Sequence, residues 1–332
     1  MFKFGGSCFK NERSFKQSLK IVEQYKDYPL VIVCSALYGI TDKLIEYGNA
    51  VLHPGEIADA ADIFLKEIRE RHINFVNALI TKESLKEEMV EFVDEKIEEL
   101  NQFKKFVKED GLTPLNHDFL VSFGERMSAF MYSEYLKSQD IQASFVPSDE
   151  DFIVTNSNFG NALPKLDVCK TNIKKKLDSN IHSGVISIVP GFYGRNEKGQ
   201  VTTLGRGGSD FTATIIGWAL SNNKDVVCVF WKDVYGILSA NPKYVNKAKL
   251  LREISISEAK ELTFFGTKIL HPKCLNTVER GENIKVEIRN FNDPKSEEHT
   301  SITKLAVVPE GSHKVIKAIT TLDEIAMITV ES

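Results

Sequence analysis

The chain has 332 residues, 42% of them hydrophobic and 27% charged, with a net charge of −4. That length supports a sizeable core in one large or two ordinary domains, and the balance is the profile of a soluble globular protein. Charges of both signs are interspersed, which argues against a nucleic-acid surface, and no apolar run approaches the length of a membrane span.

Residues 1–4 read as a short strand that runs into Gly5, Gly6 and Ser7. Residues 11–25 carry Phe15, Leu19 and Val22 at helical spacing, and Pro29 breaks that pattern. LVIVC, residues 30–34, is an uninterrupted apolar run, the mark of a strand buried on both faces. SALYGIT follows at residues 35–41, with a helix from Asp42. Strand, helix, strand, helix is an α/β pattern with a parallel sheet. Residues 56–108 read as almost continuously helical, with the charge-rich run 82–99 as a solvated face; neither His53 nor His72 is assigned chemistry.

Residues 120–122 read as a short strand, with FGER at 123–126 opening a helix to about residue 137. Short strands are expected at 142–146 and 152–154, a helix at 167–177, a buried strand at 184–190 and a hairpin over 191–199. TTLGRGGSDFT, residues 202–212, then reads as a strand end, a glycine-rich turn and a helix start. Gly205, Gly207 and Gly208 admit φ > 0 and close approach, and a helix start favours an anion. Beyond it come a helix to residue 220, a strand at 225–231 and a loop at 233–244. A helix at 257–265, a turn, a helix at 272–280 begun by Pro272 and a strand at 284–288 complete the pattern. Residues 294–300 read as a polar linker, before 301–308 and 315–330. The five cysteines (Cys8, Cys34, Cys169, Cys228, Cys274) are isolated and show no metal-site spacing. They are expected to be reduced core thiols, and the N-terminus lacks the apolar stretch of a signal peptide, so the cytoplasm is the expected location.

Three glycine-bearing strand ends recur, after Phe4, after Cys34 and around Gly205. In an open parallel sheet ligands bind outside the carboxyl ends of strands, and three such turns could surround a phosphate chain with backbone N–H groups. GxxxxGK[ST] is absent, which disfavours a P-loop. Phosphoryl transfer between anions needs positive charge, which Lys3 and Lys268 could supply with Asp210 between them. A solvated terminal lysine and a helix-end charge are the plainer readings of those two. A carboxylate-bearing acceptor calls for a guanidinium, Arg206 first and Arg126 second, and its ammonium for an acid, Glu125. Ser35, Thr41 and Ser209 could offer hydroxyls or simply cap helices.

KFGGS (3–7), SALYGIT (35–41), SFGER (122–126), LGRGGSD (204–210) and FGTKILHP (265–272) together resemble the aspartate kinases, of the amino acid kinase superfamily, in that family's order and spacing. The resemblance implies a three-layer α/β/α sandwich with a mainly parallel sheet, the carbamate kinase-like fold, in two lobes. It implies conversion of L-aspartate to 4-phospho-L-aspartate by ATP with Mg²⁺, the entry to lysine, threonine and methionine. Catalytic roles fall on Lys3, Asp210 and Lys268, and aspartate contacts on Ser35, Thr41, Glu125, Arg206 and Ser209. Nucleotide contacts fall on Lys3, Gly5, Gly6, Ser7, Gly207, Gly208, Lys232, Asp233, Leu238, Lys243 and Lys268, with no metal ligand from the protein. Lys232 stands where the family often has threonine, and Asn241, Pro242 and Lys243 replace its usual Asp-Pro-Arg. The implied kinase domain covers residues 1–295, an amino-acid lobe at 1–183 and a nucleotide lobe at 184–295. Residues 296–332 are expected to be a linker and part of an ACT-like regulatory unit, too small for its own core and so docked on the kinase domain or another chain. No lysine or threonine feedback site of its own is expected, and a homodimer or a separate regulatory chain stays open. Other open readings are a glutamate or acetylglutamate kinase, and an inactive nucleotide-binding regulatory subunit.

Overall fold

The computed structural model describes residues 1–53, 60–221, 224–264, 270–305 and 316–320. Strand β1 (Phe2–Phe4) leads through a 3-10 turn into helix α1 (Glu12–Glu23), β2 (Val31–Cys34) and α2 (Ile40–Leu52). Three long helices follow, α3 (Ala60–Leu79), α4 (Glu83–Asp110) and α5 (Pro114–Ser138). Then come β3 (Ala143–Phe145), β4 (Val154–Thr155), α6 (Leu166–Ser183), β5 (Ile186–Pro190), β6 (Tyr193–Asn196) and β7 (Val201–Thr203). The remainder is α7 (Gly208–Leu220), β8 (Val226–Lys232), β9 (Glu253–Ser255), α8 (Ile256–Phe264), α9 (Pro272–Arg280), β10 (Ile284–Asn290) and β11 (His299–Thr303).

The main sheet has eight strands in the order β3-β5-β2-β1-β8-β10-β11-β9. Every pairing in it is parallel except β10 with β11. A small sheet, β4-β6-β7, contains the expected hairpin. Strand side chains alternate between faces, and this sorts the core into two layers. Ile32 and Cys34 of β2 join Phe2 and Phe4 of β1 in a core shared with α1–α5, whereas Val31 and Val33 enter a second core shared with α6–α9. β8 divides the same way, Val229 and Trp231 to the first core and Cys228 and Phe230 to the second. A sheet covered on both faces is the reason β2 reads as an unbroken apolar run. The five cysteines are free and buried. Among the described residues no helix is long and apolar enough to cross a membrane.

Two local expectations fail for identifiable reasons. Residues 120–122 are not a strand but lie inside α5, which starts at Pro114, where the Thr113 side chain accepts the Asn116 N–H. Leu120, Val121, Ser122 and Phe123 are buried all round the helix, and an apolar run without a polar face carries no period that separates a strand from a buried helix. Residues 294–300 are not all linker, because His299 and Thr300 open β11. Thr300 is buried with its hydroxyl donating to Leu251 O and accepting from Ile237 N–H, so a polar side chain serves as an interior tie. Of the expected ACT-like segment, residues 316–320 are described. There Ile319 N–H donates to Ser239 O at 2.9 Å and Lys317 Nζ lies 2.8 Å from Glu258. Residues 306–315 and 321–332 lie outside the described residues.

Candidate active site

Parallel register brings the carboxyl ends of four strands level. Phe4 is paired with Cys34 on one side and with Trp231 on the other, and Cys34 with Pro190. The segments that leave these ends, from Gly5, Ser35, Gly191 and Lys232, therefore emerge along one edge, where parallel sheets bind ligands. Gly6 packs against its neighbour there, since a Cβ on it would lie 3.4 Å from Ala36 O.

Strand parity delivers the charges to this edge. Phe2 and Phe4 face the α1–α5 core, so Lys3 between them faces α7; Cys228 and Phe230 face α7, so Lys232 does too. Both ammoniums converge on Asp210 in the first turn of α7, Lys3 Nζ at 2.6 Å from Oδ1 and Lys232 Nζ at 3.0 Å from Oδ2. The side chains of Lys3 and Asp210 are only 10% and 9% exposed. Burial opposes ionisation of both, yet the pair prevails: Lys3 is held above its ordinary pKa by Asp210, and Asp210 below its own by Lys3 and Lys232. The α7 N-terminus adds a favourable dipole for the carboxylate. The loop before α7 is tight. Gly207 takes φ +73, and a Cβ on it would come within 2.9 Å of His271 Cβ. Lys268, the expected second lysine, lies outside the described residues; the second described cation on Asp210 is Lys232.

Glu125 reaches the same place from α5. A Cβ on Gly124 would sit 2.8 Å from Ala36 Cβ, so α5 approaches the end of β2 closely, and Ser128 Oγ donates to Ser35 O at 2.7 Å. Glu125 is 5% exposed and its Oε2 has no hydrogen-bond partner among the described residues. Burial pushes its carboxyl up to about 8, against the pull of the Ala36 N–H, Lys3 and the Ser209 hydroxyl. Ser209 is buried, with Gly191 close against it.

The structure thus brings together Lys3, Asp210, Lys232, Glu125 and Ser209, with Ser35 on the neighbouring strand end. Gly5, Gly6, Ser7 and Thr41 lie in the loops and helix starts that follow β1 and β2, whereas Gly207 and Gly208 follow β7 of the small sheet and open α7. Arg206 and Asp233 are exposed beside the cluster, and Arg206 makes no ion pair among the described residues. Leu238, bridged to Leu250, and the exposed Lys243 sit on the following loop. No hydrogen bond or ion pair joins either to Asp210 among the described residues. Arg126, the second guanidinium candidate, is already engaged: it pairs with Asp149 at 2.7 Å and lies 4.7 Å from the Tyr193 ring centroid. The role of Lys232 beside Asp210 escaped the sequence reading, although its place two residues beyond Phe230 was the available signal.

The sequence model of the amino acid kinase family matches residues 2–290. The chain belongs to the amino acid kinase family. This family member is 34% identical over 307 residues to "Aspartokinase 1, chloroplastic" of Arabidopsis thaliana, covering 92% of this chain and 52% of that protein. It is 33% identical over 294 residues to "Lysine-sensitive aspartokinase 3" of Escherichia coli (strain K12), covering 89% and 62%. Among solved structures, E. coli aspartokinase III in complex with aspartate and ADP (R-state) superposes with a TM-score of 0.80 at 29% identity, covering 91% of this chain and 63% of that one. The chain therefore spans about half the length of the first curated relative and under two thirds of the second.

Proposed function

We propose that this chain is the kinase unit of an aspartate kinase, which transfers the γ-phosphoryl group of ATP to the side-chain carboxylate of L-aspartate. The observation that carries the proposal is the Lys3–Asp210–Lys232 clamp, with buried Glu125 beside it, whose Oε2 has no hydrogen-bond partner among the described residues. A carboxylate acceptor is already an ionised nucleophile, so the reaction needs no general base. It needs charge compensation, because acceptor, transferred group and leaving diphosphate are all anions. In this reading a carboxylate oxygen of aspartate attacks the γ-phosphorus in line, the bond to the ADP oxygen breaks, and 4-phospho-L-aspartate and ADP leave. Lys3 and Lys232 face the developing charge, and Asp210 holds both ammoniums in place. Lys268 is a further proposed cation.

Backbone N–H groups of Gly5, Gly6, Ser7, Gly207 and Gly208 would line the phosphates, with Asp233, Leu238 and Lys243 toward the rest of the nucleotide. Arg206 would grip the α-carboxylate of aspartate in a two-bond fork, and ionised Glu125 with Ser209 its ammonium. Ser35 and Thr41 would supply hydroxyl contacts. The proposed lobes are residues 1–183 for the amino acid and 184–295 for the nucleotide. Asp210 has both oxygens committed to lysines, and among the described residues no three His, Cys, Asp or Glu side chains converge. That donor set fits a Mg²⁺ carried by the nucleotide's own phosphates, where it would neutralise charge between them.

The test is a hydroxamate assay for acyl phosphate with ATP and aspartate, run beside glutamate and N-acetylglutamate. Hydroxamate with aspartate alone supports the proposal. Turnover with glutamate or N-acetylglutamate and none with aspartate sinks it.

A further inference from the structure

We infer that Asp118 is a positioning residue that sets where Arg206 stands relative to Glu125, and so sets the span of the acceptor subsite. This rests on the aspartate-binding roles given above to Arg206 and Glu125. Asp118 has a fully buried side chain on α5 and touches none of the groups in the lysine clamp. Its Oδ2 accepts the Thr203 N–H at 2.7 Å and the Gly160 N–H at 2.8 Å, and its Oδ1 accepts the Thr203 hydroxyl at 2.7 Å. The imidazole of His117 lies 3.8 Å away and is partly exposed. A buried carboxylate with three donors from two distant segments is an anchor whose charge-assisted bonds are the strong kind.

What it anchors is the approach to the glycine-rich loop. Thr203 is the last residue of β7, and Arg206 follows three residues later. The space between is filled. A Cβ on Gly205, which has φ +77, would lie 2.9 Å from Gly160 O and 3.0 Å from Asn161 Oδ1. On the other side Lys273 Nζ donates to Asn161 Oδ1 and, at 3.3 Å, to Leu204 O. Asp118 therefore holds both the strand that delivers Arg206 and the segment pressed against Gly205.

Asp118 and Glu125 are seven residues apart on one helix, two turns and about 10.5 Å along the same face. One end of this rigid stretch fixes the root of the Arg206 loop, and the other presents Glu125 to the ammonium. The helix is in effect a ruler between the group that takes the α-carboxylate and the group that takes the α-ammonium. A loosened ruler misplaces the acceptor more than the nucleotide, because Gly207 and Gly208 are also held by close packing against His271 and Phe192.

The experiment compares the full chain with Asp118→Asn and Thr203→Val, measuring kcat and KM for aspartate and for ATP, with melting curves for each protein. Asparagine keeps the shape but faces N–H donors with an amide; valine removes only the hydroxyl bond. We expect the KM for aspartate to rise about tenfold in Asp118→Asn and less in Thr203→Val. The KM for ATP and kcat at saturating aspartate stay within about twofold. The ratio of kcat/KM for aspartate over glutamate falls. If both substrates' KM values move together, or if activity falls only in proportion to folded protein, Asp118 is a structural anchor and the inference is overturned. If Asp118→Asn does not fold, Thr203→Val decides alone, and an unchanged KM for aspartate overturns it. A wild-type chain that makes no aspartyl phosphate overturns the functional reading itself, a result distinct from an active wild type with indifferent variants.

Discussion

Glu125 makes the sharpest prediction, because its burial ties substrate binding to pH. A carboxyl raised from 4.5 to about 8 is about 5 kcal/mol harder to ionise than an exposed one, and at pH 7 its ionisation in the empty site costs about 1.4 kcal/mol. To pair with the ammonium of aspartate it must be ionised, so the cost is met on binding. One pH unit below its pKa only about a tenth of free sites carry ionised Glu125, so at pH 7 kcat/KM for aspartate should lie about tenfold under its plateau. It should climb through pH 7–8.5 and level off near pH 9. The parameter kcat/KM reports groups on the free enzyme, and the same quantity for ATP serves as control. Glu125→Gln removes the ionisation and keeps the shape. In that variant the aspartate profile should be flat across the window and lie one to two orders of magnitude below the wild-type plateau, the loss of roughly one charged hydrogen bond. A wild-type profile flat from pH 6 to 9, or a rise that persists in Glu125→Gln, would show that this carboxyl is not the ammonium's partner.

The same shift predicts a stability effect of defined sign. Between pH 4.5 and 8 the folded chain holds a proton that the unfolded chain has released, so stability falls as pH rises. Melting temperatures of Glu125→Gln and wild type should agree near pH 4 and diverge in favour of the variant toward pH 8; parallel curves would contradict this. Asp210→Asn leaves two ammoniums facing each other without their carboxylate and should lower kcat by about 10²-fold or more, so turnover within tenfold of wild type would remove Asp210 from its role. Arg206→Ala, at an exposed position, should leave the melting temperature unchanged and raise the KM for aspartate by roughly 10- to 100-fold, read from initial rates. Gly207→Ala forces a side chain into φ +73 against His271 and should destabilise the fold by about 1–2 kcal/mol, seen as a lower urea midpoint at unchanged slope.

Much of this was legible in the linear chain, and the reason is locality. The unbroken apolar run at residues 30–34 and the mainly apolar stretch at 184–190 announce buried strands, and β2 and β5 lie there. The glycines at 205–208 announce a strand-to-helix turn with positive φ, and α7 begins at Gly208. The order of five short motifs announced the family. The strands and the turn depend on neighbours within a few residues, where periodicity and backbone sterics act, and each motif is itself local.

What only the tertiary structure decided involves partners far apart in the chain. Lys3 and Asp210 are brought together because β1 lies between β2 and β8 under α7, an order of strands that no local pattern encodes. Sequence alone offered Arg126 and Arg206 as rival guanidiniums; folding gives the first to Asp149 and leaves the second exposed. It also buried Glu125 deeply enough to change its protonation and turned residues 120–122 into the middle of a helix. Desolvation and long-range pairing are properties of the packed layers, so they become determinate only once the sheet order fixes which faces meet.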